Sequence, residues 1–262
     1  MLLVIDIGNT NIVFGIYDGD NLTHSWRISS STEKASDEYG LILRQLLNVN
    51  ELEYEDISDV IIASVVPKLT HTIPTVCERY LGITPMIVGV GTKTGINIKY
   101  DNPKEVGADR IVNSVAGLEH YGGPLIVVDI GTAISFDVIN EKGDYLGGAI
   151  APGIGISSDA LFMRTSKLPK VELTDPSRVI GKTTIQSMQS GIIYGYIGLI
   201  DGLIERIADE LGCALNEVKV IGTGGFSRLI HKQSKYIKEL DPLLTLKGLK
   251  LIYEKNRDDR KR

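Results

Sequence analysis

The amino-acid sequence predicts an α/β chain in which one plan is used twice, and three observations carry that expectation. Leu125–Ala133 (LIVVDIGTA) repeats the pattern of Leu2–Thr10 (LLVIDIGNT), with Asp129 and Gly131 in the places of Asp6 and Gly8. A strand and helix order β-β-β-α-β-α can be read in both copies. The runs that open the copies are aliphatic without alternation, as expected of strands buried on both faces of a sheet. A repeat near half the chain length is the signature of duplication. It divides the chain into residues 1–120 and 121–255, with 256–262 as a frayed tail.

In the first copy Leu2–Ile5 forms the opening strand and Asp6 closes it. Gly8-Asn9-Thr10-Asn11 are small or polar and suit a tight hairpin. Ile12–Tyr17 resumes as a strand, and Asp18-Gly19-Asp20 turns into a third at Leu22–Ile28. Ser36-Asp37-Glu38 opens a helix whose Tyr39, Ile42, Leu43, Leu46 and Leu47 recur at helical spacing. Asp59–Val66 (DVIIASVV) is another apolar strand, stopped by Pro67. Leu69–Tyr80 reads as a helix despite Pro74 in its interior, and Pro85–Val90 as a strand. Gly91–Pro103 is a loop with a short strand at Ile96–Tyr100. Ala108–His120 is a helix with Ile111, Val112, Val115 and Leu118 on one face. The second copy supplies strands at Pro124–Val128, Ser135–Ile139 and Gly143–Ala151, a helical region, a strand at Val218–Ile221 and a helix opening at Phe226–His231. Thr184–Leu211 is a long helix, apolar around more than one face. Its Gly191, Gly195 and Gly198 leave patches where another backbone can approach.

With 43% hydrophobic and 23% charged residues among 262, the chain can bury an ordinary globular core. A net charge of −5 offers no basic field for nucleic acid or an anionic membrane. His24, His71, His120 and His231 are scattered without metal-ligand spacing. Cys77 and Cys213 are isolated, which argues against a disulfide scaffold and fits a reducing cytosol. The sequence opens directly on a core strand, without the basic region and cleavage site of a signal peptide. No apolar run approaches the ~20 residues of a membrane span. The expectation is a cytoplasmic protein without nucleic-acid or membrane partners.

Each Asp-Gly hairpin places one carboxylate and several N–H and hydroxyl donors at a sheet edge. Such a set suits a polyphosphate and its divalent metal: the donors meet phosphate oxygens and the carboxylate holds the hydrated cation. The plainer reading of either stretch is a hairpin with a polar turn. A third element, Val218–Ser227 (VKVIGTGGFS), is a strand, a glycine-rich turn and a helix start. Glycines there allow close backbone approach to a ligand, and a helix N-terminus favours phosphate. Neither a GxxxxGK[ST] loop nor a GxGxxG motif is present.

In this order the three elements resemble the actin-like ATPase superfamily, which takes in sugar kinases, acetate kinase and heat-shock chaperones. The resemblance implies duplicated actin-like (ribonuclease H-like) domains, each a mixed five-stranded sheet flanked by helices, with nucleotide in the cleft between them. Within that superfamily, six segments resemble the type III pantothenate kinases. They are Met1–Thr10, Gly107-Ala108-Asp109-Arg110, Asp129–Ala133, Gly147–Gly153 (GGAIAPG), Ala160–Leu173 and Ile180–Gly195. The likeness runs from Met1 to about Tyr253.

What the resemblance implies is ATP-dependent phosphorylation of pantothenate to 4′-phosphopantothenate, the first step of coenzyme A biosynthesis. It implies Asp109 as the general base for the pantothenate hydroxyl. Around ATP it implies Asp6, Ile7, Gly8, Asn9, Thr10, Asn11, Ile12 and Val13, together with Thr132. Around pantothenate it implies Tyr100, Gly107, Ala108, Asp109, Arg110 and Thr184. Asp6 would hold Mg²⁺ through water, and Asp129 a monovalent cation, K⁺ or NH₄⁺. The family's homodimer, with its substrate site near the interface, is implied as well. Phosphoryl transfer to an alcohol needs a base, charge stabilisation and water exclusion, and Arg110 suits a bidentate grip on a carboxylate. From the residues alone, Asp109 is a helix N-terminal carboxylate beside its neighbour, Tyr100 a surface tyrosine and Thr184 a helix cap. Asp129 is likewise a strand-end carboxylate, and its chemistry alone does not choose K⁺ over Mg²⁺.

Two other readings stand beside this one: an actin-like kinase for another small alcohol or carboxylate, and a non-catalytic regulatory homologue. A degenerate regulator is expected to have lost Asp6, Asp109 or Asp129, and all three are present. An acidic chain without a helix-turn-helix pattern does not suit direct DNA binding. A filament-forming actin relative is disfavoured by the small size of the chain and its substrate-type motifs.

Overall fold

In the computed structural model, which describes residues 1–260, the leading aliphatic run becomes strand β1 (Leu2–Ile7). Strand β2 (Asn11–Asp18) runs antiparallel to it, and β3 (Asn21–Ser29) pairs with β2. Along β3 exposed and half-buried residues alternate, the pattern of an edge strand with one covered face. Helix α1 (Ser36–Asn48) starts where the Glu38 carboxylate accepts a hydrogen bond from the Ala35 N–H, and it buries Tyr39, Leu43 and Leu47. Strand β4 (Asp59–Ser64) lies parallel to β1. Helix α2 (Leu69–Val76) runs through Pro74 and then widens into a π turn at Cys77–Leu81, closed by Gly82 in the left-handed region. Burial pushes the Cys77 thiol up to about 12, so it behaves as a core residue and not a nucleophile. Strand β5 (Met86–Ile87) is shorter than the expected Pro85–Val90, because a turn between Gly89 and Thr92 takes the chain off the sheet. The sheet order is β3-β2-β1-β4-β5.

Next come β6 (Asn97–Ile98) and α3 (Ala108–Tyr121), and then the second copy begins. It comprises β7 (Leu125–Ile130), β8 (Ala133–Ile139), β9 (Asp144–Pro152), α4 (Ile154–Met163), α5 (Thr184–Leu211), β10 (Lys219–Thr223), α6 (Ser227–His231) and β11 (Glu239–Leu240). Its sheet order, β11-β10-β7-β8-β9-β6, repeats that of the first sheet around β7 in place of β1. It has six strands where five were expected. The sixth is β6, whose Asn97 and Ile98 pair with Asp144 and Tyr145 of β9.

By contact the chain forms two units that are not consecutive halves. The first comprises Met1–Gly95, Asn102–Ala116 and the residues from Thr245 on; the second comprises Ile96–Asp101 and Gly117–Leu244. The cause is helix α7 (Leu244–Arg260), which the sequence pattern did not announce. Helices α1 and α2 cover the face of the first sheet that carries Leu3, Ile5, Ile7 and Phe14. Val4 points from the other face, and α7 covers it there: Leu246 packs beside Val4 at Gly15. The Thr245 hydroxyl donates to Asn113 Oδ1 (2.7 Å), and the Tyr253 hydroxyl to Asp59 Oδ2 (3.0 Å). The expected frayed tail is therefore helical through Arg260, and residues 261 and 262 lie outside the described residues. Both cysteines are free, and among the described residues no helix is long and apolar enough to cross a membrane.

A side chain at Gly248 would bring its Cβ to 2.1 Å from the Val112 carbonyl oxygen, a backbone atom with no room to move. Gly248→Ala is expected to cost about 1–3 kcal/mol through overpacking. Urea unfolding followed by Trp26 fluorescence measures this, and an unchanged midpoint would show that α7 is not seated on α3 in this way.

Candidate active site

In the first unit, β1 delivers Asp6 half-buried at its end, between Val13 of β2 and Ala63 of β4. The turn beyond is held from within and from outside. The Gly8 N–H donates to Asn11 O (2.9 Å), the Ser30 N–H to Thr10 O (2.9 Å) and the Ser30 hydroxyl to Gly8 O (2.5 Å). The carbonyls of Gly8, Thr10 and Asn11 are thus engaged, while Asn9 and Thr10 stand exposed at the tip of the turn. Ser30 was not among the residues singled out from sequence, since nothing local links it to a glycine 22 positions away.

Asp109 lies at the same edge of the same unit. The Val65 N–H donates to Ile7 O (3.1 Å) just past the end of β1. A Cβ on Gly107 would lie 3.6 Å from Val65 Cγ1 and only 2.6 Å from Asp109 Oδ1. The Asp109 carboxylate therefore folds back over Gly107, which any larger residue would prevent. Its Oδ1 accepts the Arg110 N–H (2.8 Å). Burial pushes the pKa of Asp109 above its ordinary value; the hydrogen bond from Arg110 and the charge of its guanidinium oppose the shift without cancelling it. Arg110 itself is buried. A helix start by itself favours the anion, so the gain in proton affinity comes from burial, and it suits a general base.

The second unit repeats the hairpin with a turn one residue shorter: Ile130 faces Ile134, where Ile7 faces Ile12. The Gly131 N–H donates to Ala133 O (3.0 Å), and the exposed Thr132 accepts the Gly153 N–H at its carbonyl (3.1 Å). The glycine-rich turn after β10 packs onto this hairpin. A Cβ on Gly224, whose φ is +88°, would lie 2.4 Å from Asp129 Oδ1 and 2.7 Å from the Ile130 backbone. The Phe226 N–H donates to Ile130 O (3.1 Å). Glycine at 224 is thus required both by its conformation and by the carboxylate lying against it. Helix α6, expected to open at Phe226, runs only from Ser227 to His231, so the part of the motif that lies against Asp129 is the glycine turn before it.

Tyr100 follows β6, half-buried, with its ring against Gly147. Thr184 is the first residue of α5 and is exposed. The cap is Thr183, whose hydroxyl accepts the Gln186 N–H (3.2 Å), so Thr184 has no capping duty. The structure thus gathers Asp6–Val13, Gly107, Ala108, Asp109 and Arg110 in the first unit. It places Tyr100, Asp129, Thr132 and Thr184 in the second. A groove of about 710 Å³ lined by Tyr121, Val218, Lys219 and Lys238 lies at the opposite ends of β7 and β10 and contains none of these residues.

Among the described residues no group of three or more His, Cys, Asp or Glu is placed to hold a metal unaided. A divalent ion that brings phosphate and water ligands needs only one or two carboxylates, and the half-buried Asp6 fits that need. Asp129, lying against the backbone at Gly224 where a Cβ would intrude, fits a cation held by hard oxygens.

Comparison with known proteins adds to this geometry. The family model for type III pantothenate kinase matches residues 2–206. A type III pantothenate kinase of Finegoldia magna is 57% identical over 259 residues, 99% of each chain. That of Moorella thermoacetica is 54% identical over 256 residues, 98% of this chain and 100% of its own. Among solved structures, a Baf family protein of Campylobacter jejuni superposes with a TM-score of 0.61 at 20% identity, covering 98% of this chain and 99% of its own. The ethanolamine utilization protein EutJ of Carboxydothermus hydrogenoformans does so with 0.54 at 14%, covering 95% and 89%. At such identities the structures speak to fold alone, and the fold is actin-like, with two mixed sheets flanked by helices. Matched by the family model over most of its length and by relatives along nearly all of it, the chain belongs to the type III pantothenate kinase family.

Proposed function

We propose that the chain transfers the γ-phosphoryl group of ATP to the hydroxyl of pantothenate, giving 4′-phosphopantothenate for coenzyme A biosynthesis. The observation that carries this reading is 57% identity over nearly the whole length of a type III pantothenate kinase. Asp109 takes the hydroxyl proton as the oxygen attacks. Its raised pKa strengthens it as a base, and the Arg110 N–H fixes one carboxylate oxygen so that the other can receive the proton. Arg110 grips the carboxylate of pantothenate, and Tyr100, Gly107, Ala108 and Thr184 supply further contacts. Asp6, Ile7, Gly8, Asn9, Thr10, Asn11, Ile12 and Val13 surround the phosphates of ATP, and Thr132 offers its hydroxyl or N–H to them. Asp6 holds Mg²⁺ through water and Asp129 holds K⁺ or NH₄⁺; when bound, these cations neutralise charge on the phosphates.

We also propose a homodimer with its substrate site near the interface. In support, Ile156, Phe162 and Met163 of α4 and Ile185 of α5 are exposed large apolar residues, as are Val179 and Ile180 before α5. The sites of a Cβ on Gly191, Gly195, Gly198 and Gly202 along α5 have nothing within 4 Å. Free Cys77 and Cys213 support a cytoplasmic setting.

ADP release dependent on both ATP and pantothenate tests the function, with sugars and acetate as the competing acceptors. Asp109→Asn is expected to lower kcat about 10²–10⁴-fold; full activity would remove Asp109 as the base. In the wild type the acid limb of kcat/KM should lie above the ordinary aspartate value of 3.8. Activity without any response to K⁺ or NH₄⁺ would remove the cation role of Asp129.

The same shift makes a stability prediction. A carboxylate whose pKa is raised by folding binds its proton more tightly in the folded state, so stability is lost as pH rises through that pKa. Asp109→Asn should therefore raise Tm at pH 7, and the gain should vanish as pH falls below 3.8. A variant that melts lower at pH 7 would contradict the burial argument. For the dimer, Met163→Glu is expected to shift sedimentation toward monomer, and a wild type that is active as a monomer would sink the proposal.

A further inference from the structure

Asp137 is a fully buried carboxylate that the proposed mechanism leaves unused. It lies in β8, and burying a carboxylate is strongly unfavourable unless donors meet its charge. Two hydroxyls do so: Tyr145 Oη donates to Asp137 Oδ1 (3.0 Å), and Ser135 Oγ to Oδ2 (3.3 Å). Tyr145 belongs to β9 and is itself fully buried. Its ring meets that of Tyr100, with centroids 6.5 Å apart and planes inclined by 44°.

The segment that carries Tyr100 is registered on the same strand. Ile98 pairs with Tyr145, the Lys99 N–H donates to Tyr145 O (2.8 Å), and Asn97 Nδ2 donates to Asp144 Oδ1 (2.8 Å). The Tyr100 ring also rests on Gly147, whose φ is +118° and where a Cβ would come to 3.1 Å from Cε2. Every one of these contacts lies within the second unit. Tyr100 is therefore held by the β6 ladder, by a bare glycine backbone and by a ring whose hydroxyl is anchored on a buried carboxyl group.

We infer that Asp137 is a positioning residue for the phosphoryl acceptor: through Tyr145 it fixes the ring of Tyr100, which the proposed function sets against pantothenate. The inference rests on that placement of Tyr100. Stability alone is a poor reason for a carboxylate here, because buried polar pairs replaced by apolar groups of similar volume often leave a protein as stable or more so. A hydrogen bond does what an apolar contact does not: it sets the direction of the tyrosine hydroxyl and with it the plane of the ring.

The test compares four variants by steady-state kinetics with pantothenate and ATP, each checked by thermal melting. Tyr100→Ala is expected to raise KM for pantothenate with little change for ATP. Asp137→Leu/Tyr145→Phe is expected to melt no lower than wild type and yet to raise KM for pantothenate about tenfold, since small misplacements of a binding group are costly. Asp137→Asn, which still accepts the Tyr145 hydroxyl, should stay near wild type. If Tyr100→Ala leaves KM for pantothenate unchanged, the placement of Tyr100 fails. If Tyr100→Ala raises it but the folded double variant keeps the wild-type value, Tyr100 stands and the role of Asp137 is overturned. Should the double variant not fold, Tyr145→Phe alone takes its place: a raised KM for pantothenate supports the role of Asp137, and a wild-type value overturns it.

Discussion

A strand buried on both faces can present a charge only at its end, and both units are organised by that constraint. Asp6 and Asp129 each occupy the fifth position of a six-residue strand whose preceding four residues are buried. Their cross-strand neighbours are Val13 and Ala63 in one case, and Ser135 and Thr223 in the other. At that point the ladder is running out and the hairpin turns over, so each carboxylate is half-buried instead of enclosed. The rest of each site is backbone brought close to these ends, and glycine is the residue that permits the approach. Gly224 lies where any side chain would collide with Asp129, and Gly107 where it would collide with Asp109.

This constraint also explains what could be read without coordinates. The central strands were legible because their burial on two faces demands uninterrupted aliphatic residues. Helix α5 was legible to its bounds because a long apolar pattern ends at Gly212, which adopts the left-handed conformation of a helix stop. Helix α7 was not: its apolar residues are interrupted by lysines, and Gly248 looks like a breaker. In the fold that glycine is what allows α7 to lie against the Val112 carbonyl. Strand β6 was only half legible. Two residues carry no periodicity, and the pairing that defines them lies on β9, far along the chain.

The site divides in the same way. The two Asp-Gly hairpins announced themselves by repeating, but the role of Asp109 came only with the family resemblance, because a carboxylate in the first turn of a helix is ordinary on its own. What sets Asp109 apart is three-dimensional: it folds over Gly107 beside Val65, in surroundings that raise its pKa. The Ser30 tether on the first turn and the Gly153 tether on Thr132 depend on tertiary pairing, which leaves no local pattern to find.

Asp109 and Asp137 show how hydrogen bonding separates two kinds of buried acid. Asp137 is enclosed, and a hydroxyl meets each of its oxygens. Its hydrogen bonds fix the direction of both hydroxyls, so the influence proposed for Asp137 passes through the groups it orients. Asp109 is less enclosed and is met by backbone N–H groups, chiefly that of Arg110, whose effect desolvation outweighs. The kind of donor thus separates the two: side-chain hydroxyls around Asp137, one of them carried by an aromatic ring, and backbone N–H groups around Asp109, which leave its raised proton affinity in place.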